Sequence, residues 1–223
     1  MFNLEELSLT GAVRLPQLAS PLLSAAEAVV RDLPAERAGL RLNGQPGLRP
    51  LLDRANAIGR AACRALGPDA QPVRALFFDK SERNNWALGW HQDRTICVEE
   101  RIETPGFGPW TNKQGMLHVA PPESILQGMV TLRIHLDAVP GTNAPLLVAS
   151  GSHRLGRIPE PQVPAIVKQS KILTCLAERG DVWLYSTLVL HASDAASQPT
   201  RRRVLQVDYA ALALPNGLEW AGV

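Results

Sequence analysis

The stretch Val130-Thr131-Leu132-Arg133-Ile134-His135-Leu136-Asp137 alternates apolar and polar residues without interruption. On an extended strand successive side chains leave opposite faces, so Val130, Leu132, Ile134 and Leu136 share one face and Thr131, Arg133, His135 and Asp137 the other. A wholly polar face arises in two settings: the solvent side of a sheet edge, or the inside of a barrel whose cavity carries chemistry. In the second setting Arg133 and His135 would meet an anionic substrate or co-substrate.

Reading outward from that strand, short β-type runs recur at Val73 to Phe78, Leu146 to Ala149, Ile172 to Ala177, Val182 to Leu190 and Val204 to Ala210, most of them separated by Gly, Pro, Asn or Ser. Upstream, Ser24 to Leu33 is rich in helix formers. Leu48 to Leu66 repeats apolar residues at helical spacing and stops at Gly67-Pro68. Many short strands after a helical lead-in predict a mainly β chain with helices (α+β), an antiparallel barrel or jelly roll. The expected layout is one domain over residues 1–223, with a helical layer at 1–70 and a jelly-roll core at 72–212. Residues 99–123, punctuated by Gly106, Gly108 and Gly115 and carrying Trp110, are expected to form a long lid loop.

Composition narrows the function classes. Apolar residues make up 45% and charged residues 20%, as in an ordinary globular chain, and a net charge of +2 with no long basic run argues against a nucleic-acid partner. No apolar stretch is long enough for a bilayer, so no membrane partner is expected, and the N-terminus lacks a basic start and an apolar run. A cytoplasmic protein is the expectation. Cys63, Cys97 and Cys175 are odd in number and have no CxxC spacing, which speaks against a disulfide framework or a structural zinc site.

The chemistry concentrates in Trp90-His91-Gln92-Asp93. A His and an Asp two residues apart leave the same face of a strand, and a second imidazole from a distant strand would complete a triad that leaves three sites open on an octahedral iron. His191, after the apolar run Leu188-Val189-Leu190, is the best candidate for the third ligand. Taken alone, the His-x-Asp spacing is common by chance and equally fits a surface pair or a core histidine. Downstream, however, stand Ser193, on the face of His191, and Arg202, eleven residues after it. An arginine fork with a nearby hydroxyl suits the distal carboxylate of a 2-oxoacid.

These residues give the chain a resemblance to the phytanoyl-CoA dioxygenase family of iron(II)/2-oxoglutarate oxygenases. The matching pieces are Trp90-His91-Gln92-Asp93, Gly151-Ser152-His153, Gly180-Asp181-Val182, and His191-Ala192-Ser193 through Arg202, in the family's order. One turn departs, reading Asn143-Ala144-Pro145-Leu146 where relatives have a glycine second. The resemblance implies a double-stranded β-helix, a cupin-like barrel buttressed by N-terminal helices. It implies Fe(II) held by His91, Asp93 and His191, with 2-oxoglutarate and O2 as co-substrates. By the same resemblance Arg202 and Ser193 bind 2-oxoglutarate. Retention of Asp93, which halogenating relatives replace by a small residue, implies hydroxylation or a related oxidation of a small organic substrate.

Two other classes remain open on the residues alone: a zinc hydrolase using the same ligands, and a jelly-roll binding protein that keeps the metal without catalysis. Arg202 and Ser193 favour the oxygenase, since a hydrolase has no use for a 2-oxoacid clamp. Further candidates for substrate or co-substrate contact are Lys80, Asn85, Trp110, Lys113, Thr131, Arg133 and His135. For the two lysines the bland alternative is a solvated side chain, for Asn85 a packing residue, and for Thr131, Arg133 and His135 a solvent-facing edge.

Overall fold

Two antiparallel sheets face each other in the computed structural model, which describes residues 3–34, 37 and 39–223. The chain begins with α1 (Leu4–Thr10), β1 (Ala12–Leu15), α2 (Leu23–Val30), β2 (Leu40–Leu42), α3 (Leu48–Leu52) and α4 (Ala57–Leu66). It continues through β3 (Gln71–Lys80), β4 (Leu88–His91), β5 (Ile96–Val98), β6 (Trp110–Lys113), β7 (Met116–Val119), α5 (Glu123–Gln127) and β8 (Met129–His135). The remainder is β9 (Leu146–Ala149), α6 (Val163–Gln169), β10 (Ile172–Cys175), β11 (Val182–Ser186), β12 (His191–Ser193) and β13 (Arg202–Ala210). The major sheet has the order β1-β11-β8-β13-β3-β2, the minor sheet β10-β9-β12-β4, and a third sheet β5-β7-β6. This is the expected jelly-roll architecture. Among the described residues no helix is long and apolar enough to cross a membrane.

The outer face of the major sheet carries the main core. Val130, Leu132 and Ile134 of β8 and Leu205 and Val207 of β13 pack with Val29 and Val30 of α2, Leu48, Leu51 and Leu52 of α3, and Ile58 and Ala62 of α4. The inner face meets the minor sheet through Trp183 and Tyr185 against Leu146, Val148 and Cys175.

Four expectations need correction. The helix expected over Leu48 to Leu66 is two helices, because the Asp53 carboxylate accepts from the Ala55 amide and competes with the helical ladder. The second helix then returns so closely that a Cβ on Gly59 would lie 2.4 Å from the Asp53 carbonyl oxygen. The N-terminal seventy residues are not purely helical, since β1 and β2 close the two edges of the major sheet. The apolar run to Leu190 is not all strand: β11 ends at Ser186, and Leu188, Val189 and Leu190 are buried in a turn, their apolarity reporting burial rather than extension. Finally, residues 99–123 are not one irregular loop. They contain the hairpin β6–β7, whose two-residue turn Gln114-Gly115 has positive φ at both positions, the geometry that matches strand twist.

Candidate active site

Register on the major sheet fixes what the inner face presents. Asp208 of β13 stands between Arg74 of β3 and Thr131 of β8, Gln206 stands beside Arg133, and Arg202 stands beside Lys80. Every residue of β8 is buried, so its polar face turns into the molecule and not to solvent. A cavity of about 350 Å3 opens between this face and the minor sheet. Its walls include His91, Asp93 and His191 as well as Lys80, Arg133, Ser193 and Arg202.

At one end, His91 and His191 are direct partners across β4 and β12, with ring centroids 4.3 Å apart. Each ring is oriented in the same way: Nδ1 lies against the carbonyl oxygen two residues back, Gly89 at 2.7 Å for His91 and Val189 at 3.0 Å for His191. A ring N–H given to a carbonyl leaves Nε2 as the lone-pair donor, and neither Nε2 has a hydrogen-bond partner among the described residues. Burial, with His91 alongside, pulls the His191 pKa down to about 4, so its ring is neutral at pH 7. Asp93 lies just past the end of β4. Burial pushes its carboxyl upward, but Arg74, His191, His91 and Arg133 together carry it below the usual carboxylate value. Its Oδ2 is buried without a hydrogen bond, 3.5 Å from Arg74 Nη2.

These donors are held from behind. Gln92, facing away from its two neighbours, donates through Nε2 to the Gly156 and Leu188 carbonyls and accepts the Ile158 amide, tying the His-x-Asp segment to the turn before His191. Ser152 of the Gly-Ser-His turn accepts the Leu190 amide at 2.8 Å. Arg74 donates to Asp208 at 2.5 Å and to the Thr95 carbonyl, and Asp208 also accepts from Thr131. Among the described residues no three His, Cys, Asp or Glu side chains stand close enough together to hold a metal ion. The donor set nevertheless fits a divalent metal by its chemistry: two imidazoles with free Nε2 atoms and an ionised carboxylate with an unsatisfied oxygen, all on one cavity.

The other end is cationic. Arg202 is 2% exposed, donates from Nη1 to the Ala144 carbonyl at 2.6 Å, and keeps a buried Nε without a partner. Burial and Arg133 lower its pKa to about 9. Ser193 Oγ donates to the same Ala144 carbonyl and lies 3.3 Å from Lys80 Nζ. Lys80 also donates to the Trp86 and Asp194 carbonyls, while burial, Arg202 and Arg133 bring it down to about 7. Arg133 donates to Gln206, rests over the Phe78 ring, and has its own buried Nε unpaired. No carboxylate pairs with Lys80, Arg133 or Arg202 among the described residues.

The remaining candidates fall elsewhere. Lys113 lines the cavity from the hairpin. Thr131 is outside the lining and holds Asp208. His135 is buried with both ring nitrogens unpaired, and burial with Arg133 and Arg202 lowers its pKa to about 3. Asn85 pins the Ala196 backbone on the loop after β12. Trp110 packs with the apolar cluster around Ile96, Leu126 and Trp220, away from the cavity. Sequence reasoning missed Arg74, Asp208, Gln206 and Arg41. The available signal was a lone charge inside each of two apolar strands, Arg74 in one and Asp208 in the other, since a charge buried in a sheet needs a partner.

Comparison with known proteins adds the lineage. The family profile described as Phytanoyl-CoA dioxygenase (PhyH) matches residues 51–204. No curated protein matches the chain. Among solved structures, EctD from S. alaskensis with 2-oxoglutarate and 5-hydroxyectoine superposes with a TM-score of 0.66 at 18% identity, over 99% of this chain and 78% of that one. The non-heme alpha ketoglutarate dependent epimerase SnoN from nogalamycin biosynthesis gives 0.64 at 15% identity, over 99% and 93%. AviO1 from Streptomyces viridochromogenes Tue57 gives 0.63 at 18%, over 95% of both chains. At these identities the structural likeness is one of fold.

Proposed function

The chain belongs to the phytanoyl-CoA dioxygenase family of iron(II)- and 2-oxoglutarate-dependent oxygenases, and on that footing we propose that His91, Asp93 and His191 hold the iron while Arg202 and Ser193 take the distal carboxylate of 2-oxoglutarate. One observation carries the reading. A single cavity has two imidazoles with free Nε2 atoms and an unsatisfied Asp93 oxygen at one end, and a buried, unpaired Arg202 at the other. An α-keto dicarboxylate is the kind of molecule that satisfies both ends at once.

The iron, when bound, supplies the oxidising chemistry that couples decarboxylation of 2-oxoglutarate to succinate with oxidation of a substrate C–H bond, here a hydroxylation. The protein's part is position and exclusion of water. The two backbone carbonyls behind the rings fix which nitrogen faces the metal, and Arg74 keeps Asp93 ionised at pH 7. Arg202 offers a planar fork already desolvated by the fold, so a carboxylate arriving there meets a cation that water does not screen. Arg133, set by Gln206, adds charge along the same wall. The hairpin β6–β7, carrying Lys113, serves as the lid over the mouth. The free Cys63, Cys97 and Cys175 suit a reducing, cytoplasmic setting.

The test is succinate formation from 2-oxoglutarate by the iron-loaded protein and by His91→Ala, Asp93→Ala and His191→Ala. Each change removes a donor and should abolish turnover. Full turnover in Asp93→Ala would refute the ligand set.

A further inference from the structure

At the metal end, the mouth of the cavity has a cation of its own. Arg41 of the edge strand β2 stands opposite Leu76 and extends over the inner face, where it lines the cavity beside Arg74 and Asp93. It is built into position. His118 of β7 gives its Nδ1–H to the Met116 carbonyl at 2.9 Å, leaving Nε2 to accept Arg41 Nε at 3.3 Å, and the buried Cys97 thiol lies 3.1 Å from the same nitrogen. The Arg41 amide donates to Gln114 of the hairpin turn, whose Nε2 donates to the Gly39 carbonyl. Through His118, one edge of the guanidinium is thus held by the lid, and the other donors are left for the cavity.

Arg41 has no carboxylate partner among the described residues, and neither has Lys113 nearby. Together with Arg133 and Arg202 they make four cations around one cavity that no carboxylate pairs among the described residues, and Lys80, brought down to about 7, adds a partial charge. The charges that the proposed reaction brings do not balance them. 2-oxoglutarate carries two negative charges, and the metal with Asp93 remains net positive. A cavity lined by one sign of charge concentrates ligands of the other. At about 350 Å3 it is at the small end for a ligand pocket, so it admits a small molecule or the end of a larger one.

We propose that the primary substrate is an oxyanion-bearing molecule whose carboxylate or phosphate is bound at the cavity mouth by Arg41, assisted by Lys113, with His118 as the positioning residue for Arg41. This rests on the metal and 2-oxoglutarate reading above. It also accounts for a buried His–Cys–Arg contact that the chemistry at the metal does not otherwise use.

Calorimetry on the full-length protein loaded with manganese(II) and 2-oxoglutarate tests it, with inorganic phosphate and acetate as separate probes. At least one anion should bind the wild type. That anion should bind about tenfold more weakly to Arg41→Ala and about threefold more weakly to Lys113→Ala, while Arg41→Lys recovers part of the loss. The probe that responds to Arg41 distinguishes a phosphate from a carboxylate substrate. His118→Leu should weaken the anion without changing 2-oxoglutarate affinity, which in Arg41→Ala should also stay within about twofold of wild type and so shows that the fold and the co-substrate site are intact. Anion binding that is unchanged in Arg41→Ala, including binding to the metal itself, overturns the inference, as does a wild type that binds 2-oxoglutarate but neither probe. Failure of 2-oxoglutarate to bind the wild type overturns the metal reading and this one with it.

Discussion

Arg202 and Arg203 are neighbours on one strand, yet they live in different chemical worlds. Arg203 points outward and is held through Nε and Nη2, at 2.9 and 2.7 Å, by Asp137, which lies past the end of β8 and does not share the inward face expected for it, with Glu27 beyond at 3.3 Å. Arg202 points inward, is 2% exposed, and has only a backbone carbonyl and an unpaired Nε. The same division runs over the whole major sheet. Apart from ion-paired Arg203, the outer face of its central strands β8 and β13 is apolar and packed by helices, and the inner face carries Arg74, Thr131, Arg133, His135, Gln206 and Asp208. One face therefore stabilises the fold; on the other, Arg74, Thr131 and Asp208 satisfy one another, while Arg133 and Arg202 each keep a buried Nε that is desolvated in advance and left for a partner outside the chain, which is what a ligand site needs.

The largest expected effect breaks that comparison directly. Removing one partner of a desolvated charge pair costs about 2–5 kcal/mol, so Arg202→Ala should weaken 2-oxoglutarate binding roughly thirty-fold to several thousand-fold. Arg203→Ala should change it by no more than about threefold, through distant charge alone. Calorimetry on both variants decides, and a large loss at Arg203 with none at Arg202 would mean that the inward and outward roles are reversed.

Stability should divide the faces in the opposite sense. Leu132→Ala on the outer face should cost about 2–5 kcal/mol by leaving a cavity, whereas Arg133→Met on the inner face should be neutral or stabilising, because it removes an unpaired buried cation. Urea unfolding of the apoprotein reads both. Equal losses would indicate that the inner face is ordinary core.

A smaller effect follows from His135. Its folded pKa is about 3 against the ordinary 6.5, so below pH 6.5 the unfolded chain takes a proton that the folded chain refuses. Stability should therefore fall as pH drops from about 6.5 toward 3, by up to about 2 kcal/mol between pH 7 and 5 from this group. His135→Leu should flatten that part of the profile of the urea midpoint against pH, and an unchanged slope would remove His135 as its source. The smallest effect is kinetic. In the hairpin, β6 is an edge strand of a three-stranded sheet, so its amides should exchange faster than those of β11, which is paired on both sides. Equal protection would argue against a lid.

How much was legible in the sequence divides along the same faces. Period-two alternation made the two sides of β8 readable, because alternation is a local property of an extended chain. The proposed ligands His91, Asp93 and His191 were legible through spacing and resemblance. Partners set by long-range register were not: Arg74 meets Asp208 across 134 residues, and Arg41 meets His118 across 77. Leu188 to Leu190 misled because a buried turn and a buried strand have the same apolar composition. The hairpin turn at Gln114-Gly115 was hidden by a region whose glycines suggested irregularity throughout.

The claim on which the rest depends is that one cavity holds a metal at His91, Asp93 and His191 and 2-oxoglutarate between that metal and Arg202. Anaerobic titration with iron(II) and then 2-oxoglutarate, followed by visible absorption, tests it most directly. The expected result is a weak charge-transfer band near the middle of the visible range that needs both additions, is lost in Asp93→Ala, and in Arg202→Ala forms only at much higher 2-oxoglutarate. A band that survives Asp93→Ala unchanged, or no band in the wild type at saturating iron and 2-oxoglutarate, would contradict it.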